Sequence, residues 1–89
     1  MKHINVSVSG KVQGVFFRAS TKAKADELGV KGVVRNEPDN RVYIEAEGSE
    51  DALKLFIAWC HEGPRLAKVD QVEVTEGQPV GFTDFSISR

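Results

Sequence analysis

The sequence predicts an α+β sandwich, with two helices on one face of a mostly antiparallel sheet. The order is β-α-β-β-α-β, followed by a short fifth strand at the C-terminus. Three observations predict it. Segments at 4–8, 42–47 and 72–75 alternate apolar with polar residues, the period of a strand buried on one side only. Two others, at 17–28 and 50–62, repeat apolar residues every three or four positions. Glycine, proline and asparagine mark the junctions, and no linker, repeat or low-complexity stretch divides the chain. At 89 residues it has material for one core, so a single domain over 1–89 is expected.

Each element has a local cause. Ile4, Val6 and Val8 alternate with Asn5, Ser7 and Ser9 in the first strand, which the stretch from Gly10 to Gly14 interrupts. A helix over about 17–28 places Thr21, Ala25 and Leu28 on one face, and Gly29 supplies its stop. Residues 30–36 form a valine-rich second strand. Pro38 and Asn40 suit the turn that follows, since proline presets φ and asparagine tolerates a left-handed backbone. Val42, Ile44 and Ala46 alternate with Tyr43, Glu45 and Glu47 to complete a hairpin. Ser49 is placed to cap a second helix, with Glu50 and Asp51 in its first turn. Leu53, Phe56, Ile57 and Cys60 line that helix's inner face before Gly63-Pro64 ends it. A fourth strand runs over 68–75, with Val69 out of phase with Val72 and Val74, which predicts a bulge. Residues 77–81 form a loop, and Phe85 and Ile87 a final strand. Because the strands alternate, both helices are expected on one sheet face and solvent on the other. That is the ferredoxin-like arrangement.

Composition narrows the function classes. Twelve Lys+Arg against thirteen Asp+Glu give a net charge of −1, which provides no electrostatic reason for a nucleic-acid or acidic-membrane partner. The single cysteine, Cys60, forms no disulfide within the chain and suits a reducing compartment. MKHINVSVSG lacks the continuous apolar core of a signal peptide, and no stretch has the length of a membrane span. A cytoplasmic protein is expected.

The candidate chemistry lies where two strands end. A right-handed crossover makes the first two strands parallel, so both release the chain at the same sheet edge. With the third strand inserted between them they stand roughly 10 Å apart. GKVQGVFFR, residues 10–18, leaves the first strand there, and Asn36 ends the second. A glycine loop entering a helix presents unpartnered N–H groups and a positive dipole, an anion site to which Gly14 allows close approach. Arg18 falls in the first helical turn, where the dipole disfavours a cation by about 0.3–1 kcal/mol. A bound anion reverses that sign and gives the guanidinium a bidentate partner. The residues alone leave a second reading open, an arginine whose stem merely passes an apolar plug. Asn36 is equally double: asparagine suits a turn, yet its amide also orients a water against a phosphoryl oxygen.

The nine residues from Gly10 to Arg18 resemble the first signature of the acylphosphatase family, G-x-V-Q-G-V-x-[FY]-R. GVVRNEPDNRVYIEAEG, residues 32–48, resembles the second signature. FIAWCHEGPRLAKVDQVEV and the closing FSISR are similar to later segments of the family, so the likeness runs the length of the chain. Two positions depart: Val33 stands where the family usually has an aromatic, and Asn40 where it usually has glycine. The resemblance implies hydrolysis of an acyl phosphate to carboxylate and phosphate, with neither metal nor cofactor. It implies that the backbone amides of Gln13, Gly14, Val15, Phe16, Phe17 and Arg18 cradle the phosphoryl oxygens. Arg18 would clamp the phosphate, and Asn36 would position the attacking water. Positioning and charge stabilisation suffice for a loose transition state with a good leaving group, so no strong general base is required. A monomer acting on a small molecule is the expectation.

Other candidates have simpler explanations. His3 lies at the far end of the first strand, His61 suits a helix C-terminus, and Cys60 falls on an apolar helix face. Glu37 and Asp39 flank the Asn36 end but are ordinary for a solvated turn, and scattered His and Cys provide no zinc set. Phe16 and Phe17 lack the basic and aromatic strand pattern of RNA-binding sandwiches, and as neighbours they face differently. Two alternatives stand beside the enzyme: a phosphate- or carbamoyl-phosphate-recognising module of the same family, and an RNA-binding or regulatory sandwich by fold analogy. The extent of the chain sets the expectation of an independent enzyme over a module.

Overall fold

In the computed structural model, which describes residues 1–88, the elements are β1 (Lys2–Lys11), α1 (Phe17–Leu28), β2 (Lys31–Asn36), β3 (Val42–Gly48), α2 (Glu50–Glu62), β4 (Lys68–Gly77) and β5 (Phe85–Ile87). Arg89, the last residue of the expected domain, lies outside the described residues. The sheet order is β4-β1-β3-β2-β5, the ferredoxin-like arrangement with one added edge strand. β5 pairs with β2 in parallel, and the other neighbours are antiparallel.

Register follows from the alternation. Val6 stands opposite Ile44 on one side and Val74 on the other, so the apolar sets of three strands share one face. Against that face α1 buries Phe17, Thr21 and Ala25, and α2 buries Leu53, Phe56 and Cys60. The buried Thr21 hydroxyl donates to the Phe17 carbonyl at 2.7 Å, so its polarity is satisfied within its own helix. Ser49 caps α2 by accepting from the Ala52 N–H at 3.2 Å, as its position predicts. Asn40 takes the left-handed backbone expected of the turn, at φ 72°.

The predicted irregularity at Val69 is a bulge. Ser9 pairs with Gln71 and Gly10 with Val69, so Asp70 is the extra residue. The bulge brings backbone against Gly10, where φ is 126° and a Cβ would sit 2.2 Å from the Lys68 carbonyl oxygen. Only glycine fits that approach, one residue before β1 ends and the loop begins.

One expectation is corrected. The alternation assigns Glu47 to the solvated face, yet Glu47 is fully buried. The segment from 78 to 84 crosses that face between the edge strands β4 and β5, and its Val80, Gly81 and Phe82 N–H groups all donate to the Glu47 carboxylate. His3 Nδ1 completes the set at 2.8 Å, with its other nitrogen 2.9 Å from Asn5 Oδ1 and 3.5 Å from Glu45. Burial alone would raise the Glu47 carboxyl. The Val80 amide, the His3 ring and the Phe82 and Gly81 amides outweigh it and lower the value from 4.5 to about 2. Burial likewise acts to lower His3, but Glu47, Asn5 and Glu45 leave it raised above its ordinary 6.5. His3 therefore has a structural partner at the end of the sheet remote from Asn36.

The signs of the two shifts define a pH window. The lowered carboxyl contributes stability that is complete above 4.5 and is lost as pH falls toward about 2. The raised imidazole contributes stability that is complete below 6.5 and fades as pH rises through its folded value. Glu47→Ala should cost about 3 kcal/mol or more, because it strands buried donors. Urea midpoints measured across this range should show the acid limb flattened in the variant; an acid limb identical to that of the wild type would contradict the assignment.

Candidate active site

β1 and β2 end at one edge of the sheet, with β3 between them. The loop leaving β1 is pinned by three buried side chains, Val12, Val15 and Phe17, while Gly14 and Phe16 between them are exposed. Phe17 packs on Trp59 of α2 with ring centroids 5.6 Å apart, which fixes the first turn of α1. To reach these anchors the chain turns left-handed at Gly14 (φ 74°) and again at Phe16 (φ 62°), but not at Val15. Backbone of alternating hand gathers successive N–H groups into a concavity suited to anions. A Cβ at Gly14 would meet nothing within 4 Å, so conformation, and not crowding inside the protein, requires glycine. Phe16 has no such freedom; a side chain held left-handed costs roughly 1–2 kcal/mol.

The start of α1 is uncapped by any side chain. Its first internal bond runs from the Ser20 N–H to the Phe16 carbonyl at 3.0 Å, leaving the Phe17, Arg18 and Ala19 N–H groups without intrahelical acceptors. Arg18, half-buried, makes no ion pair among the described residues. Arg35 and Arg41, by contrast, are held by Glu37 at 3.3 Å and Asp39 at 3.5 Å. Asn36 closes β2 opposite Val42, and its Oδ1 is buried with no donor among the described residues. Leaving a buried carbonyl oxygen unpaired costs about 1–3 kcal/mol, so its retention marks a group kept for something other than packing.

Arg18 and Asn36 line one cleft of about 760 Å³, together with Gly14, Phe16 and Phe17 of the predicted cradle. Val12, Ala19 and Ile87 complete the lining. No lining residue is acidic; one guanidinium and a helix N-terminus make the cleft electropositive. Gln13 and Val15 do not line it. Val15 is an anchor. The Gln13 amide instead donates to the Glu37 and Arg41 carbonyls at 2.9 and 2.8 Å, tying the loop to the turn that follows Asn36.

Sequence reasoning missed three contributors. The Ala19 N–H is the third unpartnered donor, countable once the helix is started at Phe17. Ile87 enters because β5 docks beside β2, a placement no local pattern announces. The Gln13 side-chain role has no sequence signal at all. Glu37 and Asp39 are occupied by neighbouring arginines, and no group of three His, Cys, Asp or Glu side chains among the described residues is arranged to hold a metal ion. Cys60 is buried on α2 with its thiol pushed up to about 12 by burial, and neither it nor His61 lines the cleft.

Comparison with known proteins bears on the fold and the family. The acylphosphatase family model matches residues 4–87. An acylphosphatase of Methylococcus capsulatus is 48% identical over 90 residues, covering 100% of this chain and 98% of its own. One from Marinobacter nauticus is 58% identical over 79 residues, covering 88% and 86%. The crystal structure of acylphosphatase from Bacillus subtilis superposes with a TM-score of 0.97 at 39% identity, covering both chains fully. The family model and these relatives cover nearly the whole chain, and the chain belongs to the acylphosphatase family of hydrolases.

Proposed function

We propose that this cleft hydrolyses the carboxyl–phosphate bond of small acyl phosphates without a metal ion or cofactor. The observation that carries the reading is that Arg18, which makes no ion pair among the described residues, and the buried Asn36 oxygen, which has no donor among them, stand on the walls of one cleft. The backbone N–H groups of the cleft-lining part of the loop and first helical turn, Gly14, Phe16, Phe17 and Arg18, receive the phosphoryl oxygens. Arg18 binds the same group and neutralises the charge that spreads over its equatorial oxygens in the transition state. Asn36 accepts a hydrogen bond from a water and holds it for in-line attack.

The water oxygen forms the new bond to phosphorus while the bond to the acyl oxygen breaks. The bonding pair leaves on the carboxylate, and the water proton passes to a phosphoryl oxygen. Nothing in this step calls for a strong base, because the leaving group is already a weak one. The single buried cysteine is in keeping with the cytoplasm.

Phosphate release from benzoyl phosphate in the presence of a chelator tests the reading. Turnover is expected; phosphate binding with no turnover would replace the enzyme with a recognition module. Arg18→Ala should lower kcat/KM by at least about 10³-fold and weaken inhibition by inorganic phosphate in parallel. For Asn36→Ala the expected loss is about 10²–10³-fold in kcat, with phosphate affinity largely kept. Equal losses of rate and affinity in Asn36→Ala would contradict the water-holding role.

A further inference from the structure

The proposed chemistry uses only the phosphate end of its substrate and leaves one lining side chain without a task. Phe16 is 76% exposed, yet it borders the cleft beside Arg18 and Gly14. Its ring joins none of the aromatic pairs, which link Phe17 to Trp59, Phe56 to Phe85 and His3 to Phe82. Its backbone is left-handed, a conformation better suited to asparagine or glycine than to an aromatic residue. Neither core packing nor local conformation accounts for phenylalanine at this position.

The direction of the reaction gives it one. In-line displacement puts the attacking water and the leaving oxygen on opposite sides of phosphorus. A water held by Asn36 stands on the β2 side, so the acyl group departs away from β2, over the wall made by the loop. On that wall Val12 and Phe17 are buried, Gly14 has no side chain and Ala19 offers one methyl. Phe16 is the one large apolar surface there that a ligand meets.

We propose that the Phe16 ring is the binding platform for the acyl portion of the substrate and favours aryl and extended aliphatic acyl phosphates over acetyl phosphate. The proposal rests on the reading of the cleft given above. An aromatic face held at the exit of an electropositive hollow adds dispersion and stacking to the acyl end, while the phosphate end keeps its polar donors. The contact exists before and during bond cleavage alike, so its effect falls on KM more than on kcat.

The test compares benzoyl phosphate with acetyl phosphate in wild type, Phe16→Asn and Phe16→Tyr. The measured quantity is the ratio of the two kcat/KM values, in which any effect of the substitution on the phosphate cradle cancels. Asparagine tolerates the left-handed backbone, so the variant is expected to fold. Its benzoyl-to-acetyl ratio should fall about fivefold to tenfold through the benzoyl KM, and Phe16→Tyr should restore most of it. An unchanged ratio in Phe16→Asn, or a ratio that tyrosine does not restore, overturns the platform. Failure of the wild type to hydrolyse either compound overturns the reading of the cleft itself, a different result.

Discussion

The burial of Val12, Val15 and Phe17 is the constraint on which the site depends. Burying one such side chain contributes about 1.5–3 kcal/mol, enough to hold Phe16 in a left-handed conformation that costs roughly 1–2 kcal/mol. With three anchors in the core, the intervening backbone has no freedom to relax. α1 then begins at a fixed point, with no side chain capping its first donors. A flexible loop with the same sequence would spend part of any ligand's binding energy on ordering itself. Here the ordering cost is met when the protein folds.

The two ends of the sheet treat oxyanions alike and differ in where the anion comes from. At one end, three consecutive N–H groups and His3 close on the Glu47 carboxylate, an anion the chain itself supplies. At the other, the Phe17, Arg18 and Ala19 N–H groups and the Arg18 guanidinium have no such partner among the described residues. The first arrangement ties a crossing segment to the sheet face and lends stability. The second leaves its donors for an external phosphate in the proposed reaction. The strands β1 and β3 run between them, so one strand pair joins the structural site to the proposed chemical one.

Gln13 binds the two walls of the cleft to each other. Its amide reaches the carbonyls on both sides of the β2–β3 turn, so the loop leading into Arg18 is tied to the turn that follows Asn36. A fixed separation between the proposed phosphate cradle and the proposed water-holding amide suits in-line attack, because small misplacements cost rate steeply. The exposed Phe16 ring stands on the same braced loop, and so any preference it imposes on the acyl group is set by the same anchors.

Local signals in the sequence determined the elements. Alternation at Ile4, Val6 and Val8, the Ser49 cap, the Gly29 stop and the dephased Val69 each reflect interactions among near neighbours, and each recurs in the fold. The loop from Gly10 to Arg18 and the asparagine at the end of β2 were legible for the same reason, since glycine placement and strand ends are written locally. Long-range pairing decided the rest. Glu47 occupies a polar-phase position, and only the crossing of residues 80–82 over that face makes it buried. The docking of β5 beside β2 puts Ile87 in the cleft, and the reach of Gln13 across to Glu37 and Arg41 joins segments more than twenty residues apart. A sequence records what each residue prefers; which distant group satisfies that preference exists only once the chain has closed on itself.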